Sequence, residues 1–201
     1  MTRDETHNDS RFDEMQRELS ELRREVRLLR IANGELERIV VRDTLTPLYN
    51  RRFFLTALND RMARLARYGD SALLIFVDVD GLKQVNDRHG HTAGDYALCH
   101  IAQQLAANIR STDVAARLGG DEFALLLDGV DEAAGRDKIA ELDAAIANAR
   151  CNFGGTELPV FASFGLARVE ADISDETIIA RADADMYETK RARRALRAVS
   201  G

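Results

Sequence analysis

The most constraining feature of the sequence is a stripe of residues that recur at alternating intervals of three and four along the first forty positions. They fill the a and d positions of a heptad repeat, all apolar except one asparagine: Phe12, Met15, Leu19, Leu22, Val26, Leu29, Asn33, Leu36 and Val40. So narrow a stripe suits a helix that buries one edge against a partner helix, and a single asparagine at an a position commonly fixes a two-stranded, in-register coil. The pattern predicts a parallel dimeric coiled coil over residues 12–42. The alternative is one amphipathic helix folded back on its own domain.

The composition excludes several classes of protein. Hydrophobic residues make up 45% of the 201-residue chain, which is enough for a folded core. The formal net charge of -6 argues against a surface that coats nucleic acid or binds anionic membranes, so neither partner is expected. The N-terminus is too polar for a signal peptide, and the longest apolar run, residues 72–77, is too short to cross a bilayer. We therefore expect a cytoplasmic protein, in which Cys99 and Cys151 do not form a disulfide.

After residue 43 the pattern changes from one long helix to an alternation of helices and strands. Helices are predicted over residues 51–67, 94–109, 132–149 and 175–195, and strands over residues 72–79, 114–118, 122–127 and 158–168. The strands on either side of Gly119-Gly120 should form a tight hairpin, because glycine adopts the positive φ that such turns require. Residues 43–195 are thus predicted to form one α/β domain, between a disordered tail at 1–11 and a C-terminal tail at 196–201.

Two pairs of acidic residues stand where predicted strands end or begin. Asp78 and Asp80 follow a fully apolar strand, and Asp121 and Glu122 follow the two glycines of the hairpin. Carboxylate oxygens are preferred ligands of hard cations such as Mg²⁺, and glycine lets a polyphosphate approach the backbone closely. Taken alone, the first pair is better explained as structural or solvated acids, and the second is equally well explained as an exposed tip that is acidic for solubility.

Two further clusters carry groups that suit a nucleotide. The first consists of Lys83, Asn86, His91 and Asp95, and the second of Lys190 and Arg194. Asparagine and aspartate can bond to the donor and acceptor edges of guanine, and lysine neutralises phosphate as a point charge. Lys190 and Arg194 are one turn apart on the last predicted helix and so share a face. The alternatives are loop polarity for Lys83 and Asn86, a helix cap for Asp95, and a solvated basic face for the last pair.

Taken together, these segments resemble the GGDEF family of diguanylate cyclases. The matching segments are Asp43–Arg52 (D-x-L-T-x-L-x-N-R-R), Asp78–Asp87 (D-x-D-x-x-K-x-x-N-D), Gly90–Asp95 (G-H-x-x-G-D), Arg117–Phe123 (R-L-G-G-D-E-F), Ser163–Ala167, and Ala182–Tyr187 with Lys190 after it. Six motifs in the family's order, spread over residues 43–195, make chance agreement negligible.

The resemblance implies a central, largely antiparallel sheet flanked by helices, as in nucleotidyl cyclases and polymerase palm domains. It also implies an enzyme that condenses two GTP molecules into cyclic di-GMP and two pyrophosphates across a homodimer. By resemblance, Asp78, Asp121 and the Val79 carbonyl bind Mg²⁺, for which Mn²⁺ can substitute. Glu122 assists the metal site or the deprotonation of the attacking hydroxyl. The other implied roles are guanine binding by Asn86 and Asp95, phosphate binding by Lys83, Lys190 and Arg194, with Lys83 also counted as catalytic, and substrate approach at Gly119 and Gly120.

The family also has an inhibitory product site, R-x-x-D, five residues before its signature. Arg110-Ser-Thr-Asp113 has this spacing, which implies inhibition by cyclic di-GMP. The alternative for Arg110 and Asp113 is a surface ion pair. Three other functions compete for the whole chain: an inactive receptor for GTP or cyclic di-GMP, a cyclase with a different nucleotide product, and a coiled-coil adaptor. The intact acidic residues favour an active enzyme, and Asp95 favours guanine.

Overall fold

The structure, a computed structural model, describes residues 16, 19, 21–28 and 41–199, with side chains as far as Arg191. The chain divides into an N-terminal unit, residues 1–40, and a C-terminal unit, residues 41–201. In the N-terminal unit residues 21–28 are helical. Asn33 and the predicted tail at 1–11 lie outside the described residues. In the parts of the chain that are described, no helix is long and apolar enough to span a membrane.

Within residues 41–199, five helices and seven strands alternate. The helices are α1 (Arg51–Tyr68), α2 (Leu82–His89), α3 (His91–Ala107), α4 (Glu132–Asn148) and α5 (Asp175–Val199). The strands are β1 (Tyr49–Asn50), β2 (Ala72–Asp80), β3 (Val114–Gly119), β4 (Glu122–Asp128), β5 (Cys151–Phe153), β6 (Thr156–Leu158) and β7 (Phe161–Arg168). Asn50 begins α1, because its side chain accepts a hydrogen bond from the Phe53 amide at 3.0 Å.

Five of these strands form one sheet in the order β1-β3-β4-β2-β7. Only the short β1 runs parallel to its neighbour, and the other three pairings are antiparallel. Strands β5 and β6 form a separate antiparallel ribbon. The prediction of an α/β fold with a largely antiparallel central sheet is therefore confirmed.

Helices cover both faces of the sheet. Successive residues of the central strand β2 point to opposite sides, so they join two different core clusters. On one face Leu73, Ile75 and Val77 join a core cluster that also contains the buried residues of α3 and α4. On the other face Leu74 and Phe76 join a cluster with those of α1 and α5. Strand β2 is thus buried on both sides, and this explains its continuous apolar run.

The structure corrects the predicted elements in three places. Residues 82–89, for which no element is predicted, form α2, and α3 begins at His91 rather than at residue 94. The predicted strand over residues 158–168 is divided between β6 and β7. Pro159 lies at this division, and proline cannot donate a backbone hydrogen bond to a continuous ladder. The ribbon of β5 and β6 was not predicted.

Candidate active site

The two acidic pairs meet at one edge of the sheet because β2 and β4 are adjacent and antiparallel. In this register Asp78, near the end of β2, lies directly opposite Glu122, the first residue of β4. The backbone amide of Val79 donates a hydrogen bond to the carbonyl oxygen of Asp121 at 3.0 Å. Asp78 is therefore brought together with Asp121 and Glu122, which follow it by more than forty positions in the sequence.

The hairpin tip that carries Asp121 is held by its own strand. Gly120 adopts a φ of 52°, a left-handed conformation that glycine tolerates without strain. The guanidinium of Arg117 donates to the Gly120 carbonyl from Nε at 3.1 Å and from Nη2 at 2.7 Å. The same guanidinium lies 3.4 Å from the Asp43 carboxylate, so the segment before α1 is tied to the tip.

Lys190 extends from α5 to the acidic end of β2. Its ammonium group bonds to the Asp78 carboxylate and lies 2.8 Å from Oδ1 of Asp80. The other oxygen of Asp80 accepts a hydrogen bond from the buried hydroxyl of Ser163 on β7 at 2.7 Å. The sequence predicts Lys190 and Asp78 as site residues and marks Asp80 as the second acid of its pair, but it assigns no role to Ser163. Asp80 can be placed beside Asp78 from strand alternation, since residues two apart share a face.

The ionisation of these groups reflects their burial and their neighbours. Burial raises the pKa of Asp78, and its bond to Lys190 only partly offsets that rise. Burial also raises the pKa of Glu122, and the nearby charge of Asp121 adds to the effect. For Lys190, burial opposes the charged form, but its bonds to Asp78 and Asp80 outweigh burial and raise its pKa. The site is thus rich in negative charge that a cation would stabilise.

Two charged residues without an assigned role also influence Glu122. The charge of Asp183 on α5 raises the pKa of Glu122, and that of Arg51, the first residue of α1, lowers it. Both residues belong to segments that resemble family motifs, and this membership was the only sequence signal for them.

The donor chemistry of the site suits a hard divalent cation. Asp78, Asp121 and Glu122 offer carboxylate oxygens, the ligands that Mg²⁺ prefers, beside backbone carbonyls at the strand end. Among the side chains that the structure describes, no three histidine, cysteine or acidic groups are already arranged as a metal-binding cluster. The fit to such an ion rests on the chemistry and charge of the donor atoms.

The predicted base-binding residues, Asn86 and Asp95, and the predicted phosphate-binding Lys83 lie on the two helices that follow β2. Lys83 and Asn86 are on α2, with Lys83 exposed and Asn86 half-buried, and Asp95 is exposed on α3. Neither loop polarity nor helix capping explains them. Lys83 and Asn86 are helical, and the N-cap of α3 is Gly90, which leaves Asp95 beyond the first turn. The backbone of Arg194 belongs to α5, but its side chain lies outside the described residues.

The R-x-x-D segment lies at the other end of β3 from the hairpin tip. Asp113 accepts hydrogen bonds from the amides of Arg110 at 3.0 Å and Asp128 at 3.3 Å, so its carboxylate closes a turn. Arg110 is exposed, and no ion pair involving it is found among the described side chains. The six-residue strand β3 separates the R-x-x-D segment from Gly119 by roughly 17 Å.

Comparisons with known proteins agree with this geometry. The family model for the GGDEF domain of diguanylate cyclases matches residues 40–195. The diguanylate cyclase DgcP of Pseudomonas aeruginosa is 40% identical over 152 residues, which cover 76% of this chain and 23% of DgcP. DgcS of Shewanella oneidensis is 35% identical over 148 residues, which cover 74% of this chain and 49% of DgcS. The chain thus spans about a quarter of the length of DgcP and about half of that of DgcS.

Two solved structures are similar to this chain over most of its length. The diguanylate cyclase SiaD of Pseudomonas aeruginosa, in complex with its activator SiaC, superposes with a TM-score of 0.76 at 30% identity and covers 94% of this chain and 74% of its own. The coiled coil and GGDEF domain of DgcB from Caulobacter crescentus, in complex with c-di-GMP, superposes with a TM-score of 0.81 at 26% identity. This match covers 89% of this chain and 95% of the DgcB chain.

Proposed function

Since the chain belongs to the GGDEF family of diguanylate cyclase domains, we propose that it condenses two molecules of GTP into cyclic di-GMP. The observation that carries this proposal is the register of β2 and β4, which sets Asp78 opposite Glu122 beside the glycine bend at Asp121. Carboxylates grouped at a strand end, next to a lysine and a turn without side-chain bulk, suit the binding of a nucleoside triphosphate.

In the proposed reaction the 3′-hydroxyl of one GTP attacks the α-phosphate of the other, and pyrophosphate leaves. Most of the catalysis then consists of positioning and charge stabilisation. The Gly119-Gly120 bend lets the phosphates approach the backbone, and the ammonium groups of Lys83 and Lys190, with Arg194, stabilise their charge. Glu122, whose raised pKa favours proton uptake, assists in removing the proton of the attacking hydroxyl.

A divalent cation fits the same residues, and divalent-metal dependence is general among GGDEF diguanylate cyclases. Asp78, Asp121 and the Val79 carbonyl are the proposed ligands of Mg²⁺ or Mn²⁺. When bound, such an ion supplies charge neutralisation of the phosphates and lowers the pKa of the attacking hydroxyl. Lys190 binds Asp78 in the structure, so we expect this lysine to turn towards the phosphates when substrate binds.

Guanine recognition is assigned to Asn86 and Asp95. Their amide and carboxylate groups offer both hydrogen-bond donors and acceptors to the base. These residues lie on α2 and α3, which follow directly after β2 in the chain. Because β2 ends in the acidic pair, the base-binding segment comes next in the sequence after the phosphate-binding segment.

Each domain holds one GTP in this proposal, and two domains must face each other for either bond to form. The predicted coiled coil over residues 12–42 supplies the second domain. For inhibition by cyclic di-GMP, we propose Arg110 as the binding group, because its guanidinium is exposed and forks onto phosphate or guanine edges. Asp113 holds the turn that presents it. A cytoplasmic location stays a prediction.

The test is turnover of GTP by the purified chain with Mg²⁺, followed as cyclic di-GMP and pyrophosphate. We expect product from the native chain and a loss of at least about 100-fold in kcat/KM for Asp121→Ala. Asp172→Ala is the matched control, because Asp172 is an exposed acid in the turn beyond β7, at the opposite end of the sheet. Its activity should equal that of the native chain.

Three other outcomes would redirect the proposal. Binding of GTP or cyclic di-GMP without turnover would support the receptor function instead. A mixed dinucleotide formed from GTP and ATP would indicate a different cyclase. Undiminished turnover by Asp121→Ala would overturn the residue assignment but not the activity.

A further inference from the structure

Gly94 on α3 lies directly against the side chain of Asn86 on α2. A β-carbon placed on Gly94 would come within 1.9 Å of Oδ1 and 2.9 Å of Cγ of Asn86. Both distances are far below van der Waals contact. Only a residue without a side chain therefore leaves the Asn86 amide where it lies.

Backbone conformation does not explain this glycine. Gly94 is not among the glycines with a positive φ, and it is the fourth residue of α3, where alanine is the better helix former. In the part of the chain that is described, two other glycines also lack room for a β-carbon. Gly135 faces apolar core side chains and Gly165 faces the backbone of α5, so both serve packing. Gly94 differs because its neighbour is a polar side chain.

We propose that Gly94 is a positioning residue for recognition of the guanine base. This inference rests on the proposed function, in which Asn86 bonds to the base. Because Gly94 has no side chain, the Asn86 amide fits directly against the backbone of α3. This close contact fixes the direction of the amide's donor and acceptor. Asp95, the other residue proposed to bind the base, is the next residue of α3.

The steric clash introduced by Gly94→Ala should lower the stability of the fold little but should impair recognition of the base. Oδ1 is the far end of a rotatable side chain, so Asn86 can turn away without any movement of the backbone. The amide then points its hydrogen-bonding groups in a new direction and no longer matches the edge of the base. Replacement of a glycine with a purely structural role would, in contrast, lower the stability of the fold.

The experiment is a double-mutant cycle of Gly94→Ala and Asn86→Ala, with KM and kcat for GTP and the melting temperature measured for each variant. We expect Gly94→Ala to raise KM for GTP about tenfold, with kcat changed less than about threefold and the melting temperature unchanged or higher. In the Asn86→Ala background, Gly94→Ala displaces nothing and should leave KM unchanged. Thr92→Ala, an exposed substitution in the same turn of α3, is the control and should behave as the native chain.

The outcomes separate this role from the proposed function. If the native chain turns over GTP and Gly94→Ala has a normal KM, the role of Gly94 is overturned while the function stands. Equal increases of KM in both backgrounds also overturn it, because the effect then does not pass through Asn86. A native chain without turnover overturns the proposed function, and with it this role.

Discussion

At the scale of single residues, the position of Lys190 depends on a buried hydroxyl two contacts away. The hydroxyl of Ser163 donates to Asp80, and the other oxygen of Asp80 receives the ammonium of Lys190 at 2.8 Å. Ser163 is only 2% exposed, so its hydroxyl has no alternative partner in bulk water. The hydrogen bond fixes the orientation of the Asp80 carboxylate and, through it, the approach of the lysine.

Ser163→Ala should therefore weaken substrate binding without unfolding the domain. Asp80 loses a fixed donor and can rotate, so we expect KM for GTP to rise roughly threefold to tenfold, the equivalent of one hydrogen bond. Steady-state kinetics measure this change, and thermal melting checks that the fold is intact. Ser71→Ala, an exposed serine just before the other end of β2, is the control. Equal KM values for Ser163→Ala and the native chain would contradict the role of this contact.

The acids at this edge can be identified from the sequence, but the contacts between them cannot. Asp78, Asp121 and Glu122 were recognisable because they follow an apolar run or a glycine pair. The bond between Ser163 and Asp80 joins positions 83 residues apart and requires the register of β2 with β7. A one-residue slip of that register would point Ser163 to the opposite face. No local pattern specifies a register over such a distance.

At the scale of elements, one aspartate connects α4, α5 and β7. The guanidinium of Arg136 on α4 donates to both oxygens of Asp185 on α5, at 2.8 and 3.1 Å. Asp185 also accepts a hydrogen bond from the amide of Leu166 on β7 at 2.7 Å. Burial by itself would raise the pKa of Asp185, but these hydrogen bonds outweigh it and lower the pKa.

Asp185→Asn should lower the free energy of unfolding by about 1 kcal/mol at pH 7, since it removes the charge that Arg136 binds while both side chains remain partly exposed. The pKa of Asp185 is lowered in the folded state, so its contribution is complete above the ordinary aspartate value of 3.8. It is lost as the pH falls through the lower folded value. Urea denaturation from pH 8 to pH 3 measures the difference.

The native chain and Asp185→Asn should thus differ by a constant amount near neutral pH and converge below pH 3.8. Glu188→Gln, an exposed acid on the same helix, should show no comparable loss. A difference between the native chain and Asp185→Asn that stays constant as the pH falls below 3.8 would show that the ion pair is not its source.

The elements that the sequence predicts have stronger apolar patterns than those that it does not predict. The long helices and the strand β2 have many apolar residues at regular spacing, and they were predicted to within a few residues. Helix α2 has eight residues, of which only Val85 is buried, so its helical period had almost no apolar signal. Strands β5 and β6 have three residues each, too few to establish alternation. Short elements such as these are fixed by tertiary packing.

At the scale of the whole molecule, the proposed reaction needs two domains, and the apolar stripe in the N-terminal unit is the feature suited to join them. Leu19, Leu22 and Val26 occupy successive a, d and a positions and are about half exposed on a single chain. Exposed apolar residues in heptad register favour burial against a second helix. Linked in this way, two half-sites meet at an effective concentration in the mM range, roughly as for short linkers.

Charged residues in this stripe should therefore make activity dependent on protein concentration. For Leu22→Glu combined with Val26→Glu, we expect specific activity to fall at least about tenfold at nanomolar protein and to recover as the concentration rises. The measurement is cyclic di-GMP formation over a dilution series, with molecular mass from light scattering. Leu28→Glu is the matched control, because Leu28 is equally exposed but lies at position c, outside the stripe. If the double variant kept its specific activity at every dilution, the coiled coil would not be what brings the two half-sites together.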